Sequence, residues 1–152
     1  MTRVLITGAP GFVGQALCQE LKEHNYLVRG LHRPSSNTTA LTQLGVELVV
    51  GDLTDRSSLE KAMQGCEFVF HIGAIYRQAK FGDAVYWQVN FEGTRNALEA
   101  AKAAGVKRFI HCSTTGVHGT IKDPPADENA PYAPCDVYQE TTTEAEKLVK
   151  EW

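Results

Sequence analysis

Thr7-Gly8-Ala9-Pro10-Gly11-Phe12-Val13-Gly14 joins the apolar run Val4-Leu5-Ile6 to a segment with Val13, Leu17 and Leu21 at four-residue spacing. The spacing predicts a strand, a tight turn and a helix. Glycine lets the backbone turn sharply off a strand, and it leaves N–H groups bare at a helix start, where the partial positive charge favours an anion. Three glycines at three-residue spacing in this context read as a dinucleotide cradle. The plainer reading is a tight strand-to-helix turn that holds no ligand.

Working outward, short β-branched runs alternate with longer helical patterns. Strands are expected over 4–7, 26–31, 46–50, 68–72 and 108–112, and helices over 12–23, 54–63, 91–104 and 137–152. Thr54 or Asp55 caps the second of these helices. The strands are continuous apolar runs, the pattern of parallel strands covered on both faces. Right-handed crossovers then give an α/β, Rossmann-like doubly wound parallel sheet of five strands in the order 3-2-1-4-5. Residues 123–134, with Pro124, Pro125, Pro131 and Pro134, are too rich in proline for a helix or an inner strand, so they form a long surface loop.

With 152 residues the chain suits a single domain over 1–152, burying about 68–70% of its unfolded surface. Fifteen Lys and Arg against eighteen Asp and Glu give a net charge of −3, with no basic field to hold a nucleic acid. Cys18, Cys66, Cys112 and Cys135 lack metal-ligand spacing. Cys18 and Cys112 lie in apolar patterns and are expected to be buried, so a reduced, cytoplasmic protein without zinc or disulfides follows. No run approaches the roughly 20 apolar residues of a membrane span, and the first residues enter a strand instead of a signal peptide.

Further segments, in order, resemble the extended short-chain dehydrogenase/reductases, the NAD(P)-dependent epimerase/dehydratase group. Gly8-x-x-Gly11-x-x-Gly14 after Thr7 looks like their cofactor turn, with Phe12 and Val13 at the helix start. Gly51-Asp52-Leu53 follows the third strand, where the resemblance places an aspartate and an aliphatic residue against the adenine; Asp52 is equally suited to cap a helix. His71-Ile72-Gly73-Ala74 resembles the small-residue turn beside the ribose and phosphates. Asn90-Phe91-Glu92-Gly93-Thr94-Arg95-Asn96 resembles the family's N-x-x-G-T-x-N helix, in which Asn90 serves either the active site or a structural hydrogen bond across elements. The second strand ends Gly30-Leu31-His32-Arg33, where an NAD enzyme carries a carboxylate. With His32 and the phosphate-matching fork of Arg33 there instead, NADP is preferred over NAD, although Arg33 also suits a solvated loop.

The resemblance also implies catalytic residues. His111-Cys112-Ser113-Thr114-Thr115-Gly116-Val117-His118-Gly119 is similar to the family's hydroxyl segment, with Thr114 at the catalytic hydroxyl position and Ser113 as the alternative. Tyr138 stands where the family places the tyrosine that exchanges a proton during hydride transfer. Its pKa of about 10 needs lowering, which the family achieves with a lysine four residues on. Thr142 occupies that position. Lys147, nine residues from Tyr138 at about 100° per residue, faces the other way. Family members continue for as many residues again, so the fold is expected to stop before the later strands that build the substrate site. Two readings follow: an oxidoreductase or epimerase/dehydratase acting on a small molecule, with impaired chemistry, or a dinucleotide-binding module without turnover. A homodimer through the outer sheet edge or its flanking helices is compatible with either.

Overall fold

The computed structural model describes residues 1–76, 78–122 and 124–152. Five parallel strands, β1 (Arg3–Thr7), β2 (Leu27–His32), β3 (Glu47–Val50), β4 (Phe68–His71) and β5 (Arg108–His111), form one sheet in the order β3-β2-β1-β4-β5. The expected strand order is the observed one, with bounds that move by one residue. β1 is central and pairs in register with β2 and β4, Val4 opposite both Val28 and Phe68. Its side chains alternate between two cores. Leu5 joins Leu59, Met63, Val69 and Ala97 on one face, while Val4 and Ile6 join Cys18, Leu21 and Leu41 on the other. Burial on both faces explains why the strands read as unbroken apolar runs.

Helices α1 (Phe12–Glu23), α3 (Arg56–Met63), α5 (Gly93–Ala103) and α6 (Val137–Glu151) stand where periodicity places them. Three details differ. A short helix α2 (Thr39–Gln43) lies between β2 and β3, pinned by fully buried Leu41. The helix expected from 91 begins earlier, as α4 (Asp83–Tyr86) and a π-helical turn (Trp87–Glu92) that run into α5. The cap of α3 is Asp55, whose carboxylate accepts from the Ser57 and Ser58 N–H groups at 3.0 and 3.3 Å. A 3-10 turn (Thr115–His118) follows β5, and the proline-rich stretch contains no helix or strand among its described residues; Asp123 lies outside them.

The cysteine expectation needs one correction. Cys18 is buried, and burial pushes its thiol up to about 11, but Cys112 is exposed and Cys66 is buried instead. Cys112 lies one residue past β5, where the chain leaves the sheet, so the apolar pattern that ends at Ile110 does not carry it inward. Among the described residues, no helix is long and apolar enough to cross a membrane, and no group of three His, Cys, Asp or Glu could hold a metal.

Candidate cofactor cleft and hydroxyl site

The carboxyl ends of β1, β2 and β4 open on a cleft of about 980 Å³, at the upper end of the size range of small-molecule sites. Its floor is the glycine turn. Gly8 has φ of +73°, and a Cβ there would meet the Gly73 backbone at 2.8 Å, so turn and β4 end approach as bare backbone. A Cβ on Gly14 would stand 2.2 Å from the Gly8 carbonyl, which is why α1 can start directly beneath the turn. Gly11 caps α1 in an extended conformation, and no side chain caps that first turn. The Gly11 N–H is taken by the Gly8 carbonyl at 3.0 Å, and Gln15 Nε2 donates to the Pro10 carbonyl at 2.7 Å. Helix-start N–H groups without a capping side chain, beside a wall kept bare by glycine, fit a pyrophosphate.

Gly8, Gly11, Phe12, Val13, Gly14, His32, Arg33, Asp52, Leu53, Ile72, Gly73 and Ala74 all line this cleft. Asp52 does not cap α3, since Asp55 does; its Oδ1 accepts from the Thr54 N–H and hydroxyl at 2.9 and 2.8 Å. His32 Nδ1 lies 3.0 Å from the Arg33 carbonyl. The Arg33 side chain is exposed, while its N–H donates to Ser36 Oγ at 3.2 Å. Ser36, Asn37, Thr39 and Gln43 complete a polar lip beside Arg33. That lip was missed in the sequence because α2 is too short to show a period.

The wall behind the cleft is a chain of hydrogen bonds. Thr7 Oγ1 accepts from the Ile72 and Gly73 N–H groups at 3.2 and 3.1 Å, so its own proton points to His71 Nδ1, 2.9 Å away. His71 Nε2 then donates to Thr94 Oγ1 at 3.0 Å, and Thr94 donates to the Asn90 carbonyl at 2.6 Å. Every partner is consistent with a neutral imidazole. Complete burial, with His111 stacked beside it, pushes the His71 pKa down to about 3.

Asn90 stands apart from the main cleft. Buried in the π-helical turn, its amide accepts from the Ile75 N–H at 2.8 Å and donates to the Ile75 carbonyl at 3.0 Å and to Thr141 Oγ1 at 3.2 Å. These are cross-element structural bonds, the other role open to it.

A second hollow of about 20 Å³ adjoins the cleft through Ile72, Gly73 and Ala74, and Tyr138, Thr142, His111, Asn90 and Cys112 line it too. Tyr138, at the start of α6, has its phenol against the Thr114 and Thr142 hydroxyls. Burial raises its pKa above the ordinary tyrosine value, and those hydroxyls offset the rise only in part. Thr142 is buried and donates to the Tyr138 carbonyl at 2.8 Å. Ser113 is turned elsewhere: its hydroxyl donates to Glu146, which also accepts from Tyr132 at 2.8 Å and pairs with Lys150 at 2.7 Å. Burial works to raise the Glu146 pKa, but bonds from Lys150, Ser113 and Tyr132 outweigh it and hold the carboxyl at about 2. Lys147 pairs with Glu144 at 2.7 Å, so neither lysine serves Tyr138.

Known proteins resemble this arrangement along nearly its whole length. The family described as NAD dependent epimerase/dehydratase matches residues 4–152. The chain is 34% identical over 150 residues to the N-acetyl-alpha-D-glucosaminyl-diphospho-ditrans,octacis-undecaprenol 4-epimerase of Escherichia coli O157:H7, covering 98% of this chain and 43% of that protein. It is 37% identical to the 3-beta-hydroxysteroid dehydrogenase of Mycolicibacterium neoaurum, covering 97% of this chain and 42% of that one. The crystal structure of a short-chain dehydrogenase/reductase superfamily protein from Agrobacterium tumefaciens with bound NAD superimposes with a TM-score of 0.87 at 36% identity, over 98% of this chain and 44% of that one. The chain thus spans less than half the length of these relatives. By this match and by its sheet, glycine turn and cleft, it belongs to the NAD dependent epimerase/dehydratase family.

Proposed function

We propose that the chain binds NADP(H) in the 980 Å³ cleft and that Tyr138 and Thr114 form the proton-handling pair of a slow hydride-transfer site. The observation that carries this reading is the glycine-floored start of α1, which no side chain caps and which opens on a cleft of dinucleotide size. Gly8, Gly11, Phe12, Val13 and Gly14 would hold the pyrophosphate, Asp52 and Leu53 the adenine, and Ile72, Gly73 and Ala74 the ribose toward the hydroxyl site. His32 and Arg33 take the place of a ribose-binding carboxylate, and a guanidinium there favours a 2′-phosphate. The cofactor, when bound, supplies or accepts the hydride.

Tyr138 would give a proton to the substrate oxygen or take one from it, with Thr114 orienting that oxygen. A phenol whose pKa is raised is a poor base near neutrality, and Thr142 brings no charge to correct it. Turnover is therefore slow, and in the limit the chain is a binding module. The relatives named above are a 4-epimerase of a glucosaminyl lipid and a hydroxysteroid dehydrogenase, which supports a small-molecule substrate with a hydroxyl or ketone carbon.

Titration calorimetry with NADP and NAD is expected to show NADP binding at least about tenfold tighter; equal or weaker binding would remove the role given to Arg33. NADPH consumption with a panel of cyclic ketones should rise by about 10²-fold or more in Thr142→Lys. Equal, substantial rates in both proteins would remove the claim that the site is impaired.

A further inference from the structure

Tyr76 belongs to neither the glycine turn nor the hydroxyl pair, yet it lines the cleft and packs on Tyr138. It lines the cleft, is 61% exposed, and meets the Tyr138 ring edge to face at 85° with centroids 4.9 Å apart. Ile75 and Gln78, on either side of it, are each held by a side chain. Asn90 holds the N–H and carbonyl of Ile75, and the Tyr86 hydroxyl accepts from the Gln78 N–H at 2.6 Å and donates to the Gln78 carbonyl at 3.3 Å. An exposed aromatic ring already packed on one side, with the preceding residue's backbone held, loses little freedom when it packs against a ligand.

Position then decides what it packs against. A substrate oxygen shared by Tyr138 and Thr114 puts the substrate's adjoining carbons beside the ring that abuts Tyr138. A π-face there rewards a flat, unsaturated ring, through stacking and through the apolar area removed from water. A sugar ring, studded with hydroxyls, gains less from such a face and loses hydration. Trp87, 37% exposed, opens the π-helical turn whose Gln88 and Val89 also line the cleft.

We infer that Tyr76 is a specificity-determining residue that selects flat, aromatic-ring ketones or alcohols over nucleotide sugars. The inference rests on the proposed cofactor reading, so the test measures cofactor binding separately. Ligand-observed saturation-transfer NMR on the full chain with NADP uses 2-tetralone as the aromatic ketone, cyclohexanone as its non-aromatic counterpart, and uridine diphosphate glucose as the nucleotide sugar. 2-Tetralone is expected to bind more tightly than both. Tyr76→Ser should weaken it by about tenfold and leave cyclohexanone within about twofold, while Tyr76→Phe keeps the wild-type preference. NADP affinity is measured for each of the three proteins, and the ketones are compared with each protein saturated with NADP, so that any change in cofactor binding is separated from the change in ketone preference. Preferred binding of uridine diphosphate glucose, no detectable 2-tetralone binding, or a Tyr76→Ser protein that retains the preference would each overturn the assignment. Failure of NADP itself to bind would instead overturn the cofactor reading, and this inference with it.

Discussion

Gly14 shows how little room a single atom has at the floor of the cleft. An added Cβ would sit 2.2 Å from the Gly8 carbonyl and 2.7 Å from the Ala9 Cα, both backbone, so no side chain can swing aside. Gly14→Ala is expected to cost about 3 kcal/mol or more in urea unfolding and to displace the turn; a loss under about 1 kcal/mol would mean that the backbone yields freely. The Tyr138 phenol lies against the Thr114 hydroxyl, since a helix start and a strand end converge at the edge of a doubly wound sheet. Ser113 stays an alternative to Thr114 in the sequence, because only the fold shows that its hydroxyl is turned to Glu146.

Among elements, the π-helical turn joins the cleft to α6. Its wider winding, with bonds to the fifth residue back, lets Gln88 and Val89 line the cleft while Asn90 turns inward to Ile75 and Thr141. Asn90→Ala would strand the buried Ile75 N–H and carbonyl, with an expected cost of about 3 kcal/mol. Denaturant unfolding reads that cost, and a change within about 0.5 kcal/mol would show that the clamp is dispensable. The strand order was legible because β-branched runs and crossover lengths leave few topologies. The π-helical turn and α2 were not: a search for a 3.6-residue period passes over a wider turn, and a five-residue helix with Leu41 as its buried contact shows no period at all. The choice between Asp52 and Asp55 as cap was likewise closed to sequence, since both stand near the start of α3 and only the backbone path selects one.

Over the whole molecule, acid acts first through a buried histidine. His71 is neutral in the folded chain, with a pKa of about 3 against about 6.5 when unfolded, so between these values the unfolded state binds the extra proton. Stability is therefore complete above about pH 6.5 and falls as pH drops toward 3. By pH 5 the loss from this group amounts to about 2 kcal/mol, before depressed carboxylates such as Glu146 add their own loss at lower pH. Urea midpoints measured from pH 7.5 to 5 should fall accordingly; a flat profile would mean that His71 is reached by water. The same fold brings Gly8 against Gly73, sixty-five positions apart in the chain. Seen as a matter of inheritance, a methyl gained at Gly8 lands on the Gly73 backbone, which no change at position 73 can trim further. Gly8 is closed to gradual drift by a partner that already carries the smallest residue available.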